Sequence, residues 1–469
     1  MYSADSRADF RSRVARIVGE ANVLSPGGST DFKSHYQVDG LAPALAVRPG
    51  AREEARDIVR LAREYNQSVI PIGAGTKLGI GMAPRSYDVA LDITRLNRVL
   101  AYDPGDLTIS VEAGCRLRDV QTLVAAQGQF LPFEPPHAAD ATIGGSLAAN
   151  SWSLCAEGYG TPRDFVLGME FVTGEGQLVH SGGRVVKNVT GYDLHKLMIG
   201  SLGTLGAMVS VNFRLYPLLQ DQRLFAATFP SAESAFQMLH QVRASFLKPR
   251  TLVILDPGAA ALMQRSGKVF GSHPNSWILS ATVAGHSAAI ERHERDLKVM
   301  AAQAGGREFI VVRDEKVDET AALLREFSVK LQQERPTNIG AQIGVLTTEV
   351  FGLLCELRAN AEKENFACAT LFQASGPAHL TVWDDAVSTQ MLEDPNDDAL
   401  TRLQRMAQRI FEITNAHQGH AVIQWCPIGL KSKASVWGES RSDFTLLQKV
   451  KTIFDPSGIF SPGRFVGGL

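Results

Sequence analysis

Three glycine clusters, all before residue 210, constrain this chain more than any other feature. The first is Pro71-Ile72-Gly73-Ala74-Gly75-Thr76-Lys77-Leu78-Gly79-Ile80-Gly81. Glycines let the backbone adopt positive φ and let its N–H groups approach a ligand closely. Successive amides in such a loop form an anion nest suited to a pyrophosphate. Two common phosphate templates fail here. A Rossmann fingerprint needs a third glycine where Leu78 stands, with a helix opening there. A Walker A loop needs Lys in a different place from Lys77. A second cluster runs from Ala141 to Asn150 (ATIGGSLAAN), and small residues fill nearly every position. That suits a backbone passing close under a flat ligand, with the Thr142 and Ser146 hydroxyls as donors. It suits a tightly packed helix entry equally well. The third cluster runs from Lys187 to Gly206. Its four glycines, Gly191, Gly200, Gly203 and Gly206, would each weaken an ordinary helix by ~1 kcal/mol. A backbone that lines a site explains them better.

The surrounding pattern is α+β. After Pro49-Gly50, Ala55, Ile58, Val59 and Ala62 recur at helical spacing. Strands are expected at Ser68–Ile72, Asp88–Ile93 and about residue 107 to 111. Leu117, Val120, Leu123 and Val124 mark a helix face ended near Gly128. Phe165–Val172 and Gln177–Ser181 around Gly174-Glu175-Gly176 read as a hairpin, and Leu205–Leu215 as a strand. Near residue 218 the glycine motifs thin out. Strands at Leu224–Phe229, Leu252–Leu255, Trp277–Val283 and Phe309–Val312 then alternate with helices, one capped by Ser231. This predicts a second α+β domain on an antiparallel sheet. The domains are therefore placed at 1–218 and 219–469, with a Gly/Pro-containing tail from about His417.

Composition narrows the class. Lys and Arg number 47 against 49 Asp and Glu, so the near-neutral chain has no general electrostatic reason to bind nucleic acid. Five scattered cysteines, Cys115, Cys155, Cys355, Cys368 and Cys426, have neither iron–sulfur nor zinc spacing. They point to reduced thiols in a cytoplasmic protein. No apolar run reaches about 18 residues, so no membrane span is expected. The N-terminus, rich in Asp and Arg, has no signal-peptide h-region.

The three motifs, in this order and with the ending FDPSGIFSPGRF (Phe454–Phe465), resemble the FAD-binding domain of the vanillyl-alcohol oxidase superfamily, the PCMH type. The resemblance covers essentially the whole chain, although residues about 220–400 match only in rhythm. It implies two α+β subdomains clasping an extended FAD. An α+β cap with an antiparallel sheet would follow, its C-terminal segment returning to the FAD domain. Gly73, Gly75, Thr76, Lys77 and Gly79 would cradle the pyrophosphate. Thr142, Gly144, Gly145 and Ala148 would lie along the diphosphate–ribityl region, and Gly203 and Gly206 near the flavin or adenine. Ile72, Ala74, Leu78 and Pro136 complete the implied cofactor-binding set. Some members attach FAD through a His in the first loop. None occurs between Ile70 and Gly81, so FAD is expected to be non-covalent.

Within the superfamily the chain looks most like the second FAD-binding subunit of bacterial glycolate oxidase. Leu202 stands where main catalytic subunits usually have Glu, and Phe133–Ala138 (FEPPHA) fits that subunit type. The metal-associated His-Gly-Asp-Gly-Asn-x-His stretch is missing, with His417-Gln418-Gly419-His420-Ala421 in the tail instead. Two His with a glycine between them make a weak metal pair, so no metal is expected.

The resemblance implies oxidation of a small 2-hydroxy acid. The flavin takes hydride from C2, a base takes the hydroxyl proton, and a cation holds the carboxylate. Candidate bases are His137, His379 and His420; candidate cations are Lys431 and Arg464. Of these, His137, His420 and Arg464 are carried forward as the catalytic set. Each also has a plain structural reading: a loop cap for His137, a turn for His420, a carboxylate partner for Arg464. Lacking a cysteine cluster, the chain would pass electrons to an iron–sulfur subunit, beside a second FAD subunit. The complex could meet the inner face of the membrane peripherally. A self-sufficient hydroxy-acid or alcohol dehydrogenase and a non-catalytic scaffold stay open as alternatives.

Overall fold

A computed structural model describes residues 4–27, 31–185, 191–219, 221–266, 270, 271, 273, 275–393, 398–439 and 442–469. Of the third glycine cluster, residues 187–190 lie outside the described residues. The chain divides into two compact units: Met1–Ser151, Thr161–Leu218 and Glu439–Leu469 form one, and Trp152–Gly160 and Leu219–Gly438 the other.

The first unit carries two main sheets. One is formed by β1 (Val23–Leu24), β2 (Leu45–Val47), β3 (Val69–Ile72) and β4 (Val89–Asp92), in the order β1-β2-β4-β3. β2, β4 and β3 run parallel, which requires a crossover between β2 and β3. The helix Arg52–Glu64 supplies it and buries Ala55, Ile58, Val59, Leu61 and Ala62. The amphipathic spacing thus places β3, and β3 runs directly into the first glycine loop.

The other sheet is antiparallel. It contains β5 (Val99–Asp103), β6 (Thr108–Glu112), β8 (Val166–Val172), β9 (Leu178–Gly182) and β10 (Ala207–Arg214), in the order β5-β6-β10-β8-β9. β8 and β9 form the expected hairpin. β7 (Gln129–Phe130) pairs with β11 (Tyr216–Pro217) separately. Phe133, Phe165, Phe171 and Phe213 are fully buried in this unit's core. Each contributes about 1.5–3 kcal/mol by leaving water.

The chain's last stretch returns to β3. Val69 N–H donates to Ile459 O (2.8 Å) and Ser461 N–H to Val69 O (2.9 Å). Phe460 forms a parallel bridge with Val69.

The second unit is one antiparallel sheet of eight strands. They are β12 (Asp221–Phe229), β13 (Thr251–Leu255), β14 (Trp277–Gly285), β15 (Glu308–Val312), β16 (Ile339–Gly344), β17 (Ala367–Gln373), β18 (Ala378–Trp383) and β19 (His420–Trp425). Their order is β15-β12-β14-β13-β17-β18-β16-β19. The Ser231 hydroxyl caps the helix Ala232–Ala244 by accepting from Ser234 N–H.

Trp152–Gly160 falls within the 1–218 expected for the first domain, whereas its contacts group it with the second unit. Leu154 is buried in that unit's core. Ser153 O accepts from Gln373 Nε2 at 2.9 Å, and the Trp152 ring packs on His379 at 4.4 Å between centroids. Nine residues cannot carry a core of their own, so their allegiance is set by these contacts.

Candidate active site

The first glycine loop leaves β3 at Ile72 and passes against Thr142. A Cβ added at Gly73 would lie 2.0 Å from Thr142 Oγ1, so any larger residue displaces that hydroxyl. The loop is pinned from both sides. Lys77 Nζ donates to Pro136 O (3.2 Å), tying it to the Pro135-Pro136-His137 segment. On the other side the buried Arg464 donates to Leu78 O and to Ile80 O (2.6 Å). Met82 N–H returns a bond to Arg464 O at 3.0 Å.

Thr142 opens the short helix Ile143–Ala148, whose small residues let it seat on the turn after β6. Gly144 N–H donates to Ala113 O (2.7 Å) and Ile143 N–H to Cys115 O (2.9 Å). The third cluster locks onto the second: Gly200 N–H donates to Leu147 O and Leu202 N–H to Ala148 O, both at 2.9 Å. Leu202 is held at φ 51°, a conformation bulky residues seldom adopt. Gly203 follows at φ 67°, where an added Cβ would sit 3.1 Å from the Pro71 ring. Lys451 secures the end of this loop. Its Nζ donates to Thr204 O (2.7 Å), Phe460 O (2.9 Å) and Asp455 Oδ2 (2.6 Å). Asp455 accepts in turn from Ile459 and Phe460 N–H. Burial lowers the Lys451 pKa, and Asp455 opposes that shift.

These elements line an open cleft. Thirteen of the fifteen cofactor candidates line it: Ile72, Gly73, Ala74, Gly75, Thr76, Lys77, Leu78, Thr142, Gly144, Gly145, Ala148, Gly203 and Gly206. Gly79 and Pro136 are not among the lining residues, whereas Arg464 is. Ile93 and Met208 also line the cleft, and the sequence reading missed both; as apolar strand-end residues they carry no motif. A larger polar cleft, about 1660 Å³, shares Ala74 and Thr142 with it and includes Tyr36, Arg48 and Asp92. There the Tyr36 hydroxyl donates to Asp92 Oδ2 at 2.8 Å. Burial and that carboxylate push the phenol pKa up.

Thr142 Oγ1 and Ser146 Oγ are buried with no hydrogen-bond partner among the described residues. A buried hydroxyl is costly without a partner, and Thr142 stands where the two clefts meet. Small residues, loop amides and an unmet hydroxyl along one wall fit a diphosphate-linked dinucleotide.

The catalytic candidates divide between the units. His137, at φ 62°, accepts at its carbonyl from Asp140 and Ala141 N–H, which closes a turn. It lies beside the loop that Lys77 anchors and lines neither cleft. Arg464, expected as a substrate clamp, directs its guanidinium to loop carbonyls. His420 is exposed at the start of β19, its ring over Gly344. Lys431 is buried in the second unit. His417 instead contacts Glu349 and Glu356 (3.1 and 3.0 Å), which raise its pKa. His379 is buried on β18, and burial lowers its pKa to about 3.

Two family models cover most of the sequence. The FAD binding domain matches residues 43–182, and the C-terminal domain of FAD linked oxidases matches 218–465, more than half the chain. The chain belongs to the FAD-linked oxidases. It is 26% identical to glycolate oxidase subunit GlcD of Bacillus subtilis, over 97% of this chain and 96% of that one. It is also 26% identical to a D-2-hydroxyglutarate dehydrogenase of Xanthomonas citri pv. viticola, over 92% and 91% of the two chains. The crystal structure of p-cresol methylhydroxylase with substrate bound superposes with a TM-score of 0.77 at 17% identity, covering 98% of this chain and 97% of that one. That likeness establishes the PCMH-type fold. The chain is an FAD-linked oxidoreductase, and its three glycine motifs line one cleft.

The Lys451–Asp455 pair also escaped the sequence reading. Its signal was there: Asp455 lies inside the FDPSGIF ending, and Lys451 precedes it by four residues in the last turn of the helix that ends at Phe454.

Proposed function

We propose that this FAD-linked oxidase is the FAD-binding subunit of a complex that oxidises glycolate or a similar small 2-hydroxy acid. One observation carries the reading: three glycine motifs converge on one cleft in a chain similar end to end to a glycolate oxidase subunit. The similarity to a D-2-hydroxyglutarate dehydrogenase over comparable length supports the same substrate class. Bound FAD would supply a hydride acceptor. The chain's own residues hold and shape that group. The loop amides from Gly73 to Leu78 and the Thr142 hydroxyl would take the diphosphate. Arg464, Lys77 and Lys451 fix the loops that present them. Arg464 is thus a positioning residue in this reading.

FAD is read as held without a covalent bond, since the first glycine loop, Gly73 to Gly81, contains no His. None of the five cysteines forms a disulfide, and their scattered positions supply no iron–sulfur ligand set. Electrons would leave through an iron–sulfur partner, with a second FAD subunit in the assembly. Among the described residues no helix is long and apolar enough to cross a membrane, so any association with the inner face would come through the complex. The dehydrogenase relative favours one further reading, a self-sufficient hydroxy-acid dehydrogenase.

The test is anaerobic mixing of the purified FAD-loaded chain with glycolate, D-lactate and D-2-hydroxyglutarate. The flavin absorbance should bleach with at least one of them. Reoxidation by a generic acceptor should be slow, and co-purified partner subunits should accelerate it. Robust turnover by the isolated chain favours the self-sufficient reading. FAD retained with no bleaching across the panel removes hydroxy-acid oxidation and leaves a scaffold.

A further inference from the structure

Neither His417 nor His420 lines the cofactor cleft. The fold gives the two residues different surroundings. His420 is exposed at the start of β19, its ring over Gly344. His417 ends the helix Ala399–Ala416, its N–H donating to Ile413 O at 3.2 Å. Gln418, at φ 56°, and Gly419, whose N–H donates to Thr414 O at 2.9 Å, then turn the chain into β19. β19 is an edge strand: among the described residues it pairs with β16 alone. The turn at His417 is therefore one of the few anchors of the sheet's last strand.

The His417 ring is held from a neighbouring helix, Val350–Lys363. Glu349, at the N-cap of that helix, Gly352 and Glu356 recur at i, i+3 and i+7 and so form one stripe. A Cβ added at Gly352 would sit 3.1 Å from His417 Cε1, so the glycine makes the seat of the ring. Glu349 Oε2 lies 3.1 Å from Nδ1, and Glu356 Oε2 lies 3.0 Å from Nε2. A neutral imidazole has one N–H and one lone pair, whereas the imidazolium has two N–H groups. Carboxylates on both ring nitrogens therefore need the doubly protonated ring. The ring also stands at a helix C-terminus, where positive charge is favoured. Among the described residues, the groups whose charge acts on it are Glu356 and Glu349, and both favour the proton. Within the same two helices, Arg409 pairs with Glu412 at 2.6 Å and Arg358 with Glu362 at 3.0 Å. Residues 345–348, between β16 and Glu349, carry no charge.

We propose that His417 is a pH-sensitive latch on the edge of the second unit's sheet. Its doubly protonated ring bridges Glu349 and Glu356 and ties the turn before β19 to the helix Val350–Lys363. Loss of one proton frees one side of the ring and loosens the edge strand. The two glutamates raise the pKa of His417 in the folded chain above the ordinary value of about 6.5 that it has when unfolded. The latch's contribution is therefore complete below that ordinary value and is lost as pH rises through the higher, folded one. The three residues lie in the second unit and do not line the cofactor cleft, so FAD binding should not follow the latch.

The experiment uses the full chain loaded with FAD, with its histidines isotopically labelled at Cε1 for NMR. The His417 signal, assigned by its loss in His417→Gln, should titrate above about 6.5. In the double variant Glu349→Gln/Glu356→Gln it should fall back to that value or lower. Hydrogen exchange reads the strand. Glu349 and Glu356 are 43% and 55% exposed, and pairs so exposed are weak. Protection of the β19 amides, corrected for the intrinsic rate, should thus fall about two- to fivefold between about pH 6 and about pH 9. His417→Arg, which stays charged, should keep protection constant over that range, and His417→Gln should stay at the lower level throughout. FAD content should be the same in every variant. A wild-type His417 that titrates at or below about 6.5 overturns the latch. So does β19 protection that depends on pH equally in the wild type and in His417→Arg. If the His417 variants do not fold, the double glutamine variant, which keeps the ring, identifies the signal by its shift, and an unshifted set of histidine signals overturns the latch.

Discussion

Thr142 shows how much of this cleft depends on single atoms. Its Oγ1 occupies the space that a Cβ at Gly73 would need, and it has no protein partner among the described residues. Thr142→Val keeps the volume and removes the hydroxyl. One lost hydrogen bond of about 1–1.5 kcal/mol corresponds to about tenfold weaker FAD binding, with little change in melting temperature. Gly73→Ala should cost more, because the new methyl must push the Thr142 side chain away from the cleft wall. FAD titration by flavin fluorescence measures both. Unchanged affinity in both variants removes Thr142 from the cofactor wall. The glycine loops were legible in the sequence because close approach demands a residue without Cβ. Thr142 was legible because it precedes Gly144-Gly145. Ile93 and Met208 were not, since an apolar residue at a strand end looks the same whether it lines a cleft or a core.

At the scale of elements, the helix Phe444–Phe454 and the segment after it serve as a clamp. Lys451 reaches Thr204 O, 247 residues away in sequence, while pairing with Asp455 just past the end of its own helix. Replacing Lys451 with Met would strand the buried Asp455 carboxylate and leave two carbonyls unmet. Breaking a buried pair from one side costs about 3–5 kcal/mol. Lys451→Met should therefore lower the melting temperature markedly and release FAD. Lys451→Arg, which keeps the charge, should recover part of the loss. Thermal unfolding with and without added FAD decides this; a Met variant as stable as the wild type would remove the clamp from the argument. Strands and amphipathic helices such as Arg52–Glu64 were readable because their periodicity is local. The clamp was not, because an i, i+4 Lys–Asp pair looks the same whether it is solvated or holds a distant loop. Arg464 makes the same point: its cationic chemistry suggested an anion clamp, and only the fold reveals Leu78 O and Ile80 O in its reach.

For the whole molecule, connectivity matters more than any single contact. The first unit is assembled from three separate stretches, the last of which is Glu439–Leu469. All three glycine motifs lie before residue 210, yet their loops are fixed by residues after 450. Ile459 and Ser461 bond to β3, Arg464 holds the first loop, and Lys451 holds the third. The residues of the second unit, by contrast, are complete by Gly438. Truncation after Gly438 should therefore leave the eight-stranded sheet able to form while abolishing FAD binding, although every glycine of the cofactor motifs is present. Circular dichroism should retain strong β signal from the second unit, and limited proteolysis should cut preferentially within residues 1–151 and 161–218. Supplying residues 439–469 as a separate peptide should restore some FAD binding, since the lost contacts are non-covalent. A truncated chain that binds FAD as tightly as the full one would mean that the glycine loops hold their shape unaided. The C-terminal segment would then stabilise the unit without shaping its cleft.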